Sequence, residues 1–164
     1  MNYQLKKLRQ FNGNRAGIYS INLENEQETL FERFLKENIN LFKSEIIDIN
    51  SRLITINKKT GARDIYFKLN EGNPGDGVCA LYDKPESNLR LYCIKYGNTL
   101  VILGGGGHKP KKLKAFQEDD KLTEENYLLR EISKQITERI RNKEIRFSED
   151  GTEIFGNLEF NDYE

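Results

Sequence analysis

Residues Leu89 to Tyr96 (LRLYCIKY) and Thr99 to Leu103 (TLVIL) are two apolar, β-rich runs with only Gly97-Asn98 between them. So short a glycine-containing connection closes an antiparallel hairpin, because it supplies the positive φ angles that match the twist of the flanking strands. Any fold for this chain has to be built around that pair. Two further β-rich runs, Asp64 to Leu69 (DIYFKL) and Val78 to Tyr82 (VCALY), come before it. Asn73-Pro74-Gly75-Asp76-Gly77 and Lys84 to Asn88 separate the runs as turns, which predicts an antiparallel sheet from 64 to 103.

Upstream, Met1 to Leu8 alternates as a short edge strand and Gly17 to Leu23 (GIYSINL) reads as a second strand. From Glu24 to Asn38 the period changes. Leu30, Phe31, Phe34 and Leu35 recur at helical spacing, and after the break at Asn38 and Asn40 the residues Phe42, Ile46, Ile49, Leu53 and Ile56 continue it. This predicts a helical hairpin from 24 to 57, ended by Thr60-Gly61. Thr123, followed by Glu124, Glu125 and Asn126, marks a third helix start, with Leu128, Leu129, Ile132, Ile136 and Ile140 as its apolar face to about Asn142. Residues 145–164 read as a terminal hairpin around Asp150-Gly151 and a loose acidic tail.

The expected class is therefore α+β: an antiparallel sheet with an N-terminal helical hairpin and a C-terminal helix, in one domain spanning 1–164. A chain of 164 residues, 37% hydrophobic, can bury a core without metal or disulfides. Its two cysteines, Cys79 and Cys93, lie in apolar strands and read as small buried hydrophobes. No apolar run approaches the roughly 20 residues of a membrane span, and the first residues do not resemble a signal sequence, so a cytoplasmic protein is expected.

Lysine plus arginine, 26, balance aspartate plus glutamate, 26, which argues against a general nucleic-acid coat. Locally the balance fails. From Asn88 to Gln117 there is no acidic residue, yet the segment carries Arg90, Lys95, His108, Lys109, Lys111, Lys112 and Lys114. Strand alternation puts Arg90 and Tyr92 on one face, a pairing suited to RNA, because a guanidinium grips phosphate while an aromatic ring stacks on a base. Gly104-Gly105-Gly106-Gly107 matches neither a Walker loop nor a dinucleotide fingerprint, and reads either as a backbone cradle for a ligand or as a flexible exit from the sheet. His108, the sole histidine, titrates nearest neutrality and is a candidate proton carrier. No cofactor and no metal site is expected, since Glu118-Asp119-Asp120 lacks a calcium-loop spacing and reads as a solvated turn.

The order of elements, with LRLYCIKYGNTLVILGGGGHKPKK as the specific segment, resembles the RelE/ParE superfamily of bacterial toxins, most closely its HigB-like and phage-derived branches. The resemblance spans roughly Gly17 to Arg141 and implies a RelE-like fold. It also implies the toxin of a type II toxin–antitoxin module, an mRNA endoribonuclease that needs no metal and acts on the ribosome by directing a 2′-hydroxyl at the adjacent phosphate. The partners implied are a cognate antitoxin and mRNA. Carried over, Arg90 takes the place of the strand arginine and His108 and Lys109 the exit-loop positions, as catalytic groups. Lys68, Tyr92, Lys95, Lys111, Lys112 and Lys114 become RNA-binding candidates. Two alternatives stand beside this: a non-enzymatic module that inhibits gyrase or holds another protein through the same face, and a nucleotide-binding regulator built on the glycines. A two-residue hairpin at Gly97-Asn98 pairs Tyr96 with Thr99 and sets Arg90 opposite Gly105, so Arg90, His108 and Lys109 should converge on one anion-binding surface at the open face of the sheet.

Overall fold

The computed structural model describes residues 1–109 and 115–161. Thr29 stops the chain after its second strand and starts the first helix: its hydroxyl accepts from the Glu32 amide while Glu32 reaches back to the Thr29 amide. This reciprocal cap satisfies two helix-end donors and sets α1 at Leu30–Asn38 rather than from Glu24. The second helix, α2, runs Lys43–Thr55 and passes into one π-helical turn, Ile56–Thr60, which Gly61 terminates at φ +76°, a conformation that disfavours a side chain. Asn57 in that turn is fully buried and donates its side-chain amide to the Ala16 carbonyl at 2.8 Å while accepting from the Gly13 amide at 2.7 Å. It ties the loop before the second strand to the end of α2.

Among the described residues nine strands accompany the helices: β1 Tyr3–Lys7, β2 Gly17–Leu23, β3 Phe67–Lys68, β4 Val78–Leu81, β5 Leu89–Tyr96, β6 Leu100–His108, β7 Ile145–Phe147, β8 Ile154–Gly156 and β9 Glu159–Phe160. Seven form one mixed sheet in the order β3-β4-β5-β6-β2-β1-β9, and β7 pairs with β8 alone. This overturns the expected RelE-like architecture of an antiparallel sheet with an N-terminal helical hairpin and a C-terminal helix. Two strands precede the first helix, β2 runs parallel to β6 with Gly17 opposite Leu100, and the long helix α3 (Ala115–Arg141) lies inside the chain with three strands after it. The physical reason is that β2 docks beside β6 far along the chain, a pairing that no local pattern encodes.

Both faces of the sheet are covered. Phe31 and Phe34 of α1 and Ile46, Ile49 and Leu53 of α2 bury themselves against Leu89, Leu91 and Cys93, while Leu129, Ile132 and Ile136 of α3 cover Tyr92 and Ile94 on the other face. The predicted alternation along β5 holds. Cys79 and Cys93 sit opposite each other as free, buried thiols, Sγ to Sγ 3.7 Å. The run Asp64 to Leu69 is mostly not strand: Asp64–Tyr66 is a 3₁₀ turn. Around Asp150-Gly151 the strands β7 and β8 pair as a hairpin, Glu159–Phe160 pairs with β1, and Asp162 to Glu164, the end of the acidic tail, lie outside the described residues. Among the described residues no helix is long and apolar enough to cross a membrane.

The four glycines are neither a cradle nor a flexible exit. They continue β6 as buried strand to His108. A Cβ on Gly104 would lie 3.0 Å from Leu129 of α3, one on Gly105 would collide with the Glu125 carboxylate of α3, and one on Gly106 with the Arg90 carbonyl of β5. Side chains are absent because a helix and a strand lie too close. That packing also bears on why the helix extends upstream of Thr123: Lys121 and the buried Leu122 lie against Gly107. The acidic run expected as a solvated turn, Glu118 to Asp120, falls within the same helix.

Glu125 cannot simply swing aside, since it pairs with Arg33 of α1 and with Lys121. Gly105→Ala should therefore cost about 1–3 kcal/mol through overpacking, which for a chain of this size lowers the melting temperature by roughly 2–12 °C. An unchanged melting temperature would show that α3 does not press on the strand.

Candidate functional site

Asp83, just past the end of β4, is a carboxylate with only 5% of its surface exposed. A buried charge of this kind must be paired or it destabilises the fold by several kcal/mol. Three cations from three different segments meet it. Lys109, following β6, reaches Oδ2 at 2.8 Å; Lys68 of β3 lies 2.7 Å from Oδ1; and Arg90 of β5 places Nη2 3.4 Å from Oδ2. The Lys68 contact is an ion pair by distance without the direction of a good hydrogen bond.

Sheet register brings them together. Lys68 is opposite Ala80, Ala80 is opposite Tyr92, and Arg90 is one step further along the same face as Tyr92. The pieces are held unequally. Lys109 spends its remaining donors on the Lys84 carbonyl at 2.7 Å and the Ser87 hydroxyl at 3.1 Å, so it locks the β4–β5 loop. Arg90 is less fully engaged: Nη1 stays 3.9 Å from Glu71, beyond hydrogen-bond distance, and the buried Nε has no partner. Lys68 also stands over the half-exposed Tyr82 ring, 5.9 Å from its centroid.

The electrostatics follow from this arrangement. Burial alone would raise the Asp83 pKa, but the close ammonium groups of Lys109 and Lys68 and the charge of Arg90 together outweigh it and hold the carboxyl below its ordinary value. Burial likewise works against the Arg90 charge, and Asp83, Tyr92 and Glu71 together outweigh it and raise its pKa. Counting Glu71, the corner holds three cations against two carboxylates. It keeps a net positive charge beside the exposed Lys84.

Of the residues the sequence singled out, Lys68, Arg90, Tyr92 and Lys109 come together here. His108 does not. It lies opposite Leu89, which points into the α1/α2 core, and its ring stacks on Phe42 of that side at 5.3 Å, so it occupies the face away from Arg90. The expected register is also corrected: Tyr96 pairs with Leu100 instead of Thr99, and a bulge between Leu91 and Cys93 adds a second one-residue shift, so Arg90 lies opposite Gly107, not Gly105. The expected open anion surface is instead a corner whose cations already hold a carboxylate. Lys95 sits at the far end of β5, about 17 Å from Arg90 at strand spacing, where it pairs with Asp64 and holds the Gly97 carbonyl. Lys111, Lys112 and Lys114 lie outside the described residues. Asp83, Glu71 and Tyr82 were not found from sequence. The only signal for Asp83 was an acid placed directly after the apolar run VCALY, where burial would demand cations.

Among the described residues no group of three or more histidine, cysteine, aspartate or glutamate side chains could hold a metal ion. No family model matches the chain, and no curated protein or solved structure matches it either.

Because the folded pKa of Asp83 is lowered from its ordinary 3.8, its stabilising contribution is complete above that pH and fades as the pH falls through the folded value. Asp83→Asn strands three cations and should cost about 3 kcal/mol at pH 7. The gap between wild type and variant in denaturant unfolding should narrow below about pH 4. A gap that is the same at pH 7 and pH 2.5 would mean that Asp83 is not the charge holding this corner.

Proposed function

We propose that the chain is the toxin of a type II toxin–antitoxin pair, a metal-independent endoribonuclease that acts on mRNA, and that Lys68 and Arg90 bind the phosphate at which cleavage occurs. The reading rests on the cluster itself, not on the architecture that the resemblance implied. The observation that carries it is the convergence of Lys68, Arg90 and Lys109 on one corner of the sheet beside the half-exposed Tyr82; Tyr92, an expected RNA-binding residue, is buried under α3 and offers no ring to a base. Fixed cations and aromatic rings together are what single-stranded RNA recognition requires.

Roles follow from who has donors to spare. Arg90, partly exposed and with Nη1 3.9 Å from Glu71, presents its guanidinium to the phosphate, and Lys68 adds a second charge; both stabilise the negative charge that grows on the phosphate oxygens as a 2′-hydroxyl attacks. Lys109 is a positioning residue, saturated by Asp83, Lys84 and Ser87. Asp83, held ionised, is too weak a base to take the hydroxyl proton efficiently, and His108 faces the other way. Proton transfer falls to water, and catalysis is mainly electrostatic. A cytoplasmic location and an antitoxin that shields this corner complete the proposal. The same lack of a proton carrier favours a second reading, a module that binds RNA or protein here without cutting.

Induced expression in a bacterium separates these. Wild type should arrest growth with fragmentation of mRNA; Arg90→Ala should weaken RNA binding or cleavage by about 1.5–3 kcal/mol, the scale of a lost charge-assisted hydrogen bond, while His108→Gln and Lys36→Ala retain full effect. Arrest with intact mRNA supports the binding module. Loss of activity in His108→Gln would contradict the assignment of residues made here.

A further inference from the structure

The wall of this corner opposite β3 opens into a cleft of about 480 Å³ between α2 and the β4–β5 loop, lined in part by Asp48, Arg52, Tyr82, Asp83, Lys84 and Ser87. Three features make it a formed cleft. Glu45, in the first turn of α2, accepts from the backbone amides of Asn88 and Leu89 at 2.8 and 3.1 Å and from the Asn88 side chain at 2.6 Å, so the loop is pinned to the helix. Arg52 donates to the Tyr82 carbonyl at 2.6 Å and through Nε to Asp48 Oδ2 at 3.0 Å, pinning the other end. Lys109 binds the loop from inside, through Lys84 and Ser87. The cleft and the cation cluster share Asp83 as a common wall.

We infer that this cleft is a nucleobase subsite selective for bases that carry an exocyclic amine, next to the phosphate position at Lys68 and Arg90. The inference deepens, and rests on, the RNA reading above. Tyr82 is about half exposed and offers a ring for stacking at the cleft mouth. Asp48, exposed on α2, has one oxygen held by Arg52; the other has no partner among the described residues. A carboxylate so oriented accepts an N–H from the amine of cytosine, adenine or guanine, whereas uracil presents a carbonyl oxygen where cytosine has its amine, and two acceptors repel. A volume of several hundred cubic ångströms suits one base rather than a folded segment. Loss of the exposed Asp48–Arg52 pair costs the fold little, so Asp48 can be tested without unfolding the chain.

The test is a titration of the full-length, isotope-labelled chain with inorganic phosphate and with cytidine, adenosine and uridine monophosphates, following backbone amides by NMR. Phosphate should shift signals of Lys68 and Arg90; the cytidine and adenosine nucleotides should shift these and also Asp48, Tyr82 and Ser87, binding about tenfold tighter than the uridine nucleotide, the scale of one hydrogen bond to a charged group. Asp48→Asn should bring cytidine and uridine nucleotides to within about twofold of each other, Tyr82→Ala should weaken both, and Tyr82→Phe should restore them. If phosphate shifts the cluster but the nucleotides leave the cleft undisturbed, or if Asp48→Asn keeps the preference, the subsite is refuted while the RNA reading stands. If neither phosphate nor nucleotide shifts the cluster, both fall.

Discussion

Much of this molecule follows from one buried carboxylate. Asp83 cannot sit ionised in the protein interior without partners, and its partners come from β3, β5 and the segment after β6. Satisfying that charge therefore fixes three strand ends at one point and aligns them in register. It also leaves an imbalance, because three cations are gathered to neutralise one acid, and Glu71 beside Arg90 shares only part of the excess. The corner is thus structural and basic at once. A phosphate approaching it meets cations already oriented, which removes most of the cost of ordering long side chains at the moment of binding.

A second constraint, the closeness of α3 to β6, decides where that corner can lie. With four consecutive glycines the strand has no side chains to hold the helix off, so Leu122, Glu125 and Leu129 press onto the backbone. The helix covers the central strands on its face, while α1 and α2 cover the other. What remains accessible is the edge at β3 and the β4–β5 loop, where Lys68, Tyr82 and Lys84 reach solvent. The glycine run thus leaves the middle of the sheet covered by α3.

Elements governed by local chemistry were legible from the chain alone. Gly17–Leu23 and Leu89–Tyr96 have the predicted limits, the faces of β5 alternate as read, and the two cysteines face each other in neighbouring strands. What depended on distant partners was not. The parallel docking of β2 on β6, the bulge that slides Arg90 by one residue beyond the one-residue offset at the turn, and the extension of α3 upstream of Thr123 were not encoded in any local pattern. The candidate site divides in the same way: Arg90 and Lys109 stood out because the surrounding sequence lacks acids, whereas Asp83, the acid that organises them, lies just outside that acid-free stretch and carries no motif. His108 drew attention as the lone histidine, yet its direction is set by strand parity, and parity turned it toward Phe42.

The claim that this corner is where the chain meets RNA can be tested most directly by ultraviolet crosslinking of a short single-stranded RNA to the full chain, with mass-spectrometric mapping of the attached peptides. The account predicts adducts on the peptides containing Lys68, Tyr82 and Arg90, and their loss when salt is raised to screen the phosphate contacts. Adducts confined to the far end of β5 around Lys95, or to the surface of α3, would contradict it.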